Sequence, residues 1–509
     1  MNSINYKLIA DEQRTMNSEY QLYGYQLAAV KWMSDRETDP GADFNGGILA
    51  DEVGLGKTIM MTGVLLKNPK PNTMIILPKS LIMQWKTELE KYTSKLEIVI
   101  PENDIIVENE NPDISRVHLV SHSRFNKRGI EDPEKLSYCL ANWDRVVIDE
   151  AHIIKNKKSK IHRAVCHIKS PIRWALTATP VMNKMTDFVY TMKWVSQDAI
   201  SQLDCQTEKD DIVSKYIIRR TKDDVKTENV QFELPKLNVE VNNLNFASPE
   251  EKILYETTHE EMQKKLAELK KIHGNQSIIY ALELLLRARQ ICCNPQCYID
   301  GVNRKIKQKH SEEPKEYLEE WTSSITKVEF VKAKIESQPL EDKTLIFCHF
   351  IKEMDCYEKE LVHAGHTVYR IDGRSDLEIR DIVVQNFKCS EVRESKIIML
   401  VQIDMGGQGF NFQCANRIYI TSPTWNPAQQ HQVIGRAHRT GQTKEVFVNI
   451  LTIQNEDVEK TSYIETNILE LQKAKRKIMA NILNDNRLED ETYKESKMTM
   501  VDINKMFGI

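Results

Sequence analysis

The stretch Gly46–Met61, GGILADEVGLGKTIMM, constrains the fold of this chain more than any other. Its first residues, Gly46–Ala50, are typical of the end of a buried strand, and Lys57 and Thr58 are predicted to open a helix. A loop that leads into a helix N-terminus collects backbone N–H groups and the positive end of the helix dipole. The stretch therefore predicts a phosphate-binding loop.

The residue types in this loop suit a nucleoside triphosphate. Gly54 and Gly56 let the backbone close on an anion without interference from a Cβ atom. Lys57 is expected to reach the β- and γ-phosphates, and the Thr58 hydroxyl to bind Mg²⁺. The strict pattern has glycine where this chain has Asp51, so the motif alone leaves an ordinary helix start as the alternative. The predicted nucleotide-binding residues of the loop are Asp51, Glu52, Val53, Gly54, Leu55, Gly56, Lys57 and Thr58.

A second motif places two acids at the end of an apolar strand. Arg145–Ile148 reads as the strand, and Asp149 and Glu150 follow it directly. We expect Asp149 to bind Mg²⁺ and Glu150 to orient and deprotonate the attacking water. Neighbouring acids more often form a solvated turn, but the apolar residues in front and the upstream phosphate loop favour the catalytic interpretation.

Length, charge and cysteine usage bound the class of protein. A chain of 509 residues is expected to contain two or more domains. The net charge of -4 confines any nucleic-acid contact to a local patch. The N-terminus lacks an apolar run and no stretch reaches the roughly 18 apolar residues of a membrane span, so we expect an intracellular protein without a membrane partner. Cys292, Cys293 and Cys297 leave zinc binding open, but no second ligand pair stands at zinc spacing, which favours buried thiols.

Polar residues follow several other predicted strands. In a parallel sheet such strand ends converge on one edge, where ligands bind. They are candidate contacts to the backbone of a nucleic acid, or else caps of the next helices. Gln26, on a predicted helix upstream of the phosphate loop, is a candidate for reading an adenine edge, with an ordinary surface glutamine as the alternative.

The second half of the chain repeats the strand and helix alternation after a charged helical region. A glycine-rich loop, Met405–Asn411, allows close approach of backbone to phosphate. A helix predicted from Ala428 places Gln432, Arg436 and Arg439 on one face, since they lie four and three residues apart. The two arginines are expected to stabilise charge on a γ-phosphate, with surface ion pairs as the alternative.

Taken together and in order, these blocks resemble the SWI/SNF-type ATPases, the DNA-translocating branch of the superfamily-two helicase-like proteins. The resemblance covers about residues 21–465, and the compact form is most similar to the baculovirus global transactivators. Tyr23 and Gly24 replace the usual Arg-Pro, so nucleotide stacking is expected to differ. The blocks are LYGYQLAAVKWM, GGILADEVGLGKT, IILPKSLIMQW, VVIDEAH, LTATPVMN, LIFCHF, GGQGFN and SPTWNPAQQHQVIGRAHRTGQ.

The resemblance implies an α/β fold of two tandem recombinase-like lobes (P-loop NTPase lobes) with parallel sheets and a helical insertion. Its boundaries are a tail at 1–20, lobe one at 21–235, the insertion at 236–325, lobe two at 326–465 and a helical tail at 466–509. The resemblance implies that ATP is bound by Gln26, the phosphate loop, Gly407 and Gln432. It implies that the catalytic residues are Lys57, Asp149, Glu150, Arg436 and Arg439. It assigns nucleic acid to Pro78, Lys79, Ser80, Ser121, His122, Thr177, His349, Gly406, Gly407, Gly409 and Trp425.

The implied activity is hydrolysis of ATP, with Mg²⁺, coupled to movement along double-stranded DNA. Chromatin or transcription machinery is the implied partner and the nucleus the implied location. Backbone tracking predicts weak sequence preference and strong salt dependence. A strand-separating helicase, a DNA-repair translocase, a non-enzymatic binding module and an RNA-directed enzyme remain as alternatives. The sequence gives no oligomeric state.

Overall fold

The fold is taken from a computed structural model of the chain. The predicted N-terminal tail, the end of the predicted C-terminal tail, and Gly407 and Gly409 lie outside the described residues. The described residues are 22–102, 106, 109, 111, 113–126, 132, 135–180, 185–196, 213–228, 234–273, 278–308, 316–391, 394–406, 410–455 and 463–483.

Two parallel sheets organise the described residues. The residues up to Glu228, together with Lys477–Leu483, form one unit, and those from Leu234 to Arg476 form a second. Every pairing between named strands is parallel in both sheets. The predicted fold class, two α/β lobes with parallel sheets, is confirmed.

The sheet of the first unit has the strand order β3-β4-β2-β5-β6-β1-β7 among the described residues. Its central strands are near-continuous apolar runs because helices cover both faces, as parallel sheets require. Alternate residues therefore enter two cores, with Ile48 in one and Leu49 in the other. The strands are β1 (Asn45–Leu49), β2 (Asn72–Leu77), β3 (Leu96–Val99), β4 (Ser115–Ser121), β5 (Arg145–Asp149), β6 (Ile172–Leu176) and β7 (Ile217–Ile218).

A buried ion pair connects the first helix of this unit to the sheet. Arg145 on β5 donates through Nε to Glu37 Oε1 at 2.7 Å, and both side chains are fully buried. Trp174 donates to the same carboxylate at 2.8 Å. Removing one partner of such a pair leaves a buried charge, at a cost of about 3–5 kcal/mol. The helices are α1 (Gly24–Thr38), α2 (Lys57–Lys67), α3 (Ile82–Tyr92), α4 (Ser137–Leu140), α5 (Lys160–His167), α6 (Met185–Ser196) and α7 (Lys222–Glu228).

The sheet of the second unit has the order β10-β11-β9-β12-β13-β8 among the described residues. Its central strands feed two apolar cores in the same alternating way. The strands are β8 (Leu237–Leu244), β9 (Thr344–Cys348), β10 (Thr367–Ile371), β11 (Ile397–Gln402), β12 (Arg417–Ile420) and β13 (Val446–Ile453).

Helices surround this second sheet and also pack on one another in a separate apolar cluster. None of the described helices has the length and apolar character needed to cross a bilayer. The helices are α8 (Pro249–His273), α9 (Ile278–Cys293), α10 (Pro295–Gln308), α11 (Thr326–Glu336), α12 (Ile351–His363), α13 (Leu377–Cys389), α14 (Ile403–Gly406), α15 (Pro427–Ile434) and α16 (Ile464–Leu483).

The structure corrects the predicted boundaries of the helical insertion, 236–325. Its first residues form β8, which pairs with β13 along eight positions and makes the edge of the second sheet. The sequence LNVEVNNL lacks the apolar run that marked the other strands, and Val239, Glu240 and Val241 are exposed at this edge of the sheet. The helical part of the insertion is α8–α10.

The predicted C-terminal tail is also corrected at its start. Helix α16 begins at Ile464, and Ile464, Glu465 and Ile468 on its first turns are fully buried. Cys292, Cys293 and Cys297 are buried, as predicted, and burial raises the pKa of all three thiols.

Candidate active site

The predicted phosphate loop has the expected backbone. β1 ends at Leu49, α2 begins at Lys57, and Gly54 and Gly56 between them have φ angles of 95° and 85°. This left-handed region strongly favours glycine. A Cβ atom on Gly56 would lie 2.7 Å from Gln26 Nε2, so the loop also needs glycine for close packing.

Gln26 lies against this loop from the first turn of α1. Its Nε2 donates to Leu55 O at 3.2 Å, and its Oε1 accepts from Tyr23 N at 3.0 Å. The Tyr25 hydroxyl donates to the same Leu55 carbonyl at 2.9 Å. The candidate adenine-reading amide is thus held beside the candidate phosphate site by hydrogen bonds within one unit.

Asp51, which replaces the expected glycine, is paired with Arg220. The Asp51 carboxylate is fully buried and accepts hydrogen bonds from Arg220 N at 2.9 Å and from Arg220 Nε at 3.1 Å. Arg220 Nη2 forms an ion pair with the same carboxylate. The guanidinium carbon lies 5.1 Å from the centre of the Tyr25 ring, and Nη1 donates to Tyr25 O. Glu52 N donates to Arg220 O at 2.9 Å. Arg220 therefore ties the phosphate loop to α1, a role that the sequence motifs did not indicate.

Lys57 and Thr58 occupy the first two positions of α2. Lys57 Nζ donates to Asp51 O at 2.7 Å and to Glu52 O at 3.4 Å, so the ammonium group lies across the mouth of the loop. The ammonium, the loop N–H groups and the glycine-lined space fit a phosphate chain. The Thr58 hydroxyl is a hard oxygen donor of the kind that Mg²⁺ prefers.

Asp149 ends β5 at the same edge of the sheet as the phosphate loop. Its Oδ2 accepts from Trp85 Nε1 at 2.8 Å, and its Oδ1 accepts from Glu150 N at 2.9 Å. Burial, together with the neighbouring Glu150 carboxylate, raises the pKa of Asp149 to about 6. Burial makes the ionised form of this carboxylate unfavourable, and a bound divalent cation would stabilise that form. The position of Asp149 is therefore suitable for a divalent cation.

Glu150 and His122 are arranged around this strand end. Glu150 is the only non-glycine residue with a positive φ, 51°, in the part of the chain that the structure describes. Such strained residues cluster at functional sites. Its Oε2 lies 3.2 Å from His152 Nδ1. His122 Nε2 lies 3.1 Å from Asp149 O, and burial lowers the pKa of His122 to about 4, so the ring is neutral.

The predicted nucleic-acid residues of the first unit do converge on this edge, but they differ in exposure. Pro78, Lys79 and Ser80 follow β2, and Lys79 is exposed in a short 3-10 helix. Thr177 is buried and accepts from Thr179 N at 3.1 Å. Ser121, whose hydroxyl lies 2.8 Å from that of Ser123, and His122 are also buried. The placement therefore favours Pro78–Ser80 as a surface for nucleic acid and a positioning role for the three buried residues.

In the second unit, Arg289 of α9 brings two predicted nucleic-acid residues together. Its guanidinium carbon lies 5.7 Å from the centre of the Trp425 ring, and its Nη2 lies 3.1 Å from His349 Nδ1. His349 Nε2 lies 2.8 Å from Ser422 O and 2.7 Å from Arg289 Nη2, and the tautomer with the proton on Nε2 donates to Ser422 O while Nδ1 accepts from Arg289. Desolvation and the Arg289 cation hold the pKa of His349 well below its usual value. Gly406 ends α14, next to the undescribed Gly407–Gly409.

The prediction that Gln432, Arg436 and Arg439 share one helical face is wrong. Helix α15 ends at Ile434, with Gly435 as its C-cap. Arg436 N donates to Val433 O at 3.2 Å, a tighter turn than the α-helix makes. Arg436 and Arg439 therefore lie in the turns after the helix, whereas Gln432 lies within it. Among the described residues, the buried Arg439 Nε has no hydrogen-bond partner.

Comparison with known proteins finds two protein families that match successive parts of the chain. The SNF2-related domain family matches residues 25–297, and the helicase conserved C-terminal domain family matches residues 326–441. The chain is 28% identical to an "Uncharacterized ATP-dependent helicase" of Mycoplasma pneumoniae over 96% of this chain and 44% of that protein. It is 25% identical to a "Probable global transactivator" of Orgyia pseudotsugata multicapsid polyhedrosis virus over 86% of this chain and 87% of that protein.

One solved structure has a lower sequence identity to this chain than these two relatives have. The Sulfolobus solfataricus SWI2/SNF2 ATPase core in complex with dsDNA is 23% identical, with a TM-score of 0.39 and coverage of 97% of this chain and 98% of that chain. The chain spans less than half of the mycoplasma relative's length and most of the viral relative's length.

Proposed function

The chain belongs to the family of SNF2-related proteins, and we propose that it is a DNA-dependent ATPase that moves along double-stranded DNA. The family agrees with the prediction from the sequence, and it is shown because the SNF2-related domain alone matches more than half of the chain. One observation carries the chemical part of this proposal. Asp149, a buried carboxylate with a raised pKa, lies at the same sheet edge as a glycine-shaped phosphate loop. This combination suits hydrolysis of a Mg²⁺-bound nucleoside triphosphate.

Each side chain of the first unit has a proposed task. Gln26 orients the adenine, and the loop N–H groups with Lys57 bind the β- and γ-phosphates. Thr58 and Asp149 hold Mg²⁺, which offsets the phosphate charge when bound. Glu150 accepts a proton from the attacking water at a carboxylate oxygen.

The second unit supplies the remaining charges. We propose that Arg436 and Arg439 stabilise the negative charge that develops on the γ-phosphate, because a guanidinium offers several N–H donors to phosphate oxygens. The exposed Lys79 turn and the pair of His349 and Trp425 are assigned to the DNA backbone. Movement would follow from cycles in which ATP gathers these groups and hydrolysis releases them.

Direct measurement of ATP turnover tests the proposal. Lys57→Ala and Glu150→Gln are expected to lower turnover at least about a hundredfold, since each removes a group that acts on the transition state. The matched controls are Lys67→Ala, at the exposed end of α2, and Glu90→Gln, on the exposed face of α3. Both controls should keep wild-type turnover.

The polymer is identified in the same assay. Turnover is compared without polymer and with single-stranded DNA, duplex DNA and duplex RNA. We expect duplex DNA to give the largest stimulation, with a steep decrease as salt rises. Retained DNA-stimulated turnover in both site variants would refute the site, and equal stimulation by RNA would refute the choice of DNA.

The biological role of this activity is a separate proposal. A role in transcription or in displacing proteins from chromatin, with a nuclear location, is supported by the name of the viral relative, a global transactivator. Triplex displacement on chromatinised and bare DNA would test whether bound proteins are the obstacle that this enzyme removes.

A further inference from the structure

A run of backbone carbonyls after β12 is held by side chains from four other parts of the second unit. We name Thr421–Trp425 the carbonyl segment. All five of its carbonyl oxygens accept a side-chain hydrogen bond. The donors are Lys327 Nζ to Thr421 O (2.6 Å), His349 Nε2 to Ser422 O (2.8 Å), Arg289 Nη2 to Pro423 O, Gln472 Nε2 to Thr424 O and Lys475 Nζ to Trp425 O (2.9 Å).

This degree of fixation is unusual for a connection between a strand and a helix. Loop carbonyls commonly face water, because a buried loop carries polar groups that are difficult to satisfy. Here the donors come from α9, α11, α16 and the end of β9. A charged donor strengthens a hydrogen bond about twofold relative to a neutral one, and three of the five donors are charged. The carbonyl segment is therefore fixed in position by contacts spread across the unit.

The carbonyl segment leads directly into α15 and the turns that carry Arg436 and Arg439. Asn426 caps α15 by accepting from Ala428 N at 3.1 Å, and Thr424 Oγ1 donates to Asn426 O at 2.7 Å. Gln472 Nε2 also lies 3.4 Å from Gln430 Oε1 on α15. Gln472 on α16 thus contacts both the segment and the helix that follows it.

Helix α16 is itself anchored at its first turn. Glu465 and Lys327, both fully buried, form an ion pair at 2.7 Å, and Ile453 N donates to Glu465 at 2.7 Å. The anchor fixes where Gln472 lies, two turns further along the helix. The helix is therefore connected to the arginine turns through rigid and buried contacts.

We propose that Gln472 and Lys475 of α16 are positioning residues that set the arginine turns for ATP hydrolysis. The inference rests on the proposed function, because it takes Arg436 and Arg439 as the groups that act on the γ-phosphate. A displacement of about 1 Å in such a group lowers catalysis up to about a hundredfold. Neither residue would touch the nucleotide.

The Gln472→Met variant tests the proposal. Methionine keeps the length and volume of the side chain but removes the N–H donor to Thr424 O. We expect the DNA-stimulated kcat to fall about tenfold, within the range that a small misplacement produces. The KM for ATP should stay within about twofold, since Gln26 and the phosphate loop lie in the other unit. Lys473→Met, at an exposed position of the same helix, is the control and should keep the wild-type rate.

A double-mutant cycle separates positioning from a general structural role. Rates are divided by the active fraction, measured as bound fluorescent ADP per chain. If Gln472 acts through the arginine turns, Gln472→Met should change the residual rate of Arg439→Ala less than about twofold. Equal losses in the wild-type and Arg439→Ala backgrounds overturn the inference. A wild-type rate in Arg439→Ala overturns the proposed function and the inference with it.

Lys475→Met provides a second route if Gln472→Met does not fold. Lys475 is only half-buried, and its loss removes the neighbouring donor to Trp425 O. The expected result is again a lower kcat with an unchanged KM and the same non-additivity with Arg439→Ala. A wild-type kcat in Lys475→Met overturns the inference.

Discussion

Replacing Trp85 with phenylalanine tests how the Asp149 carboxylate is kept available for a cation. Burial and Glu150 raise the pKa of Asp149 to about 6, and the hydrogen bond from Trp85 Nε1 opposes that rise. A hydrogen bond to a charged group contributes about 1.5–3 kcal/mol. At about 1.36 kcal/mol per pKa unit, its loss should move the pKa of Asp149 up by about one unit or more.

The acid limb of ATP turnover should move with this pKa. Taking a pKa of about 6 for the native protein and about 7 for Trp85→Phe, the ionised fraction at pH 6.5 falls about threefold, while above about pH 8.5 the two proteins should match. The assay is kcat/KM for ATP at limiting Mg²⁺ and saturating duplex DNA across this range, because kcat/KM reports the pKa values of the free enzyme. The ratio of variant to native rate at each pH cancels the protonation of ATP itself.

Unfolding of the nucleotide-free protein gives an independent measurement. The folded-state pKa of Asp149 lies above its unfolded value of 3.8, so the folded state binds the extra proton, and stability falls as pH rises from about 4 to 6. The difference between 3.8 and about 6 corresponds to about 3 kcal/mol of lost stability above that window. Trp85→Phe should extend the window upward by about one pH unit.

Trp321→Phe is the matched control. Its indole N–H has no hydrogen-bond partner among the described residues, so the same substitution removes an N–H group without removing a bond. Its pH profile should match that of the native protein. A ratio of Trp85→Phe to native rates that stays constant between about pH 6 and 8.5 would refute this account of Asp149.

Two further substitutions test contacts that the structure shows. Arg220→Lys keeps the charge but loses the two-pronged contact with Asp51 and the stacking on Tyr25, so the Kd for fluorescent ADP should rise about tenfold; an unchanged Kd in a titration would contradict this. His118 is buried beside Trp143 with both ring nitrogens unpartnered among the described residues. His118→Leu should therefore raise the free energy of unfolding in urea by about 1–2 kcal/mol at pH 7, and a lower midpoint would exclude the explanation.

Local patterns predicted the parts of the fold that neighbouring residues determine. The tight loop at Gly54 and Gly56 and the helix start at Lys57 follow from consecutive residues, and both were predicted from the sequence. Two local predictions were wrong for physical reasons. The edge strand β8 lacks the apolar run of the other strands, and the spacing of Arg436 and Arg439 does not show that α15 ends at Ile434.

The partners that hold the site could not be predicted from spacing. Trp85 is 64 residues from Asp149, Arg220 is 169 residues from Asp51, and Arg289 is 134 residues from Pro423. In parallel sheets every strand is followed by a crossover, so the residues that meet at the carboxyl edge come from remote parts of the chain. No fixed interval connects such pairs, and only the folded structure brings them together.

Two buried carboxylates at this edge differ in whether their charge is paired, and this difference is our reason for assigning only one of them to chemistry. Asp51 forms an ion pair with Arg220, so its charge is already neutralised. Asp149 receives only N–H donors, from Trp85 and from Glu150, and the described residues give it no ion pair. Burial and the neighbouring Glu150 carboxylate raise the pKa of Asp149 by more than these N–H donors and the Lys57 cation lower it. A protein that neutralised Asp149 internally would be more stable, but it would have less affinity for the cation that hydrolysis of ATP requires.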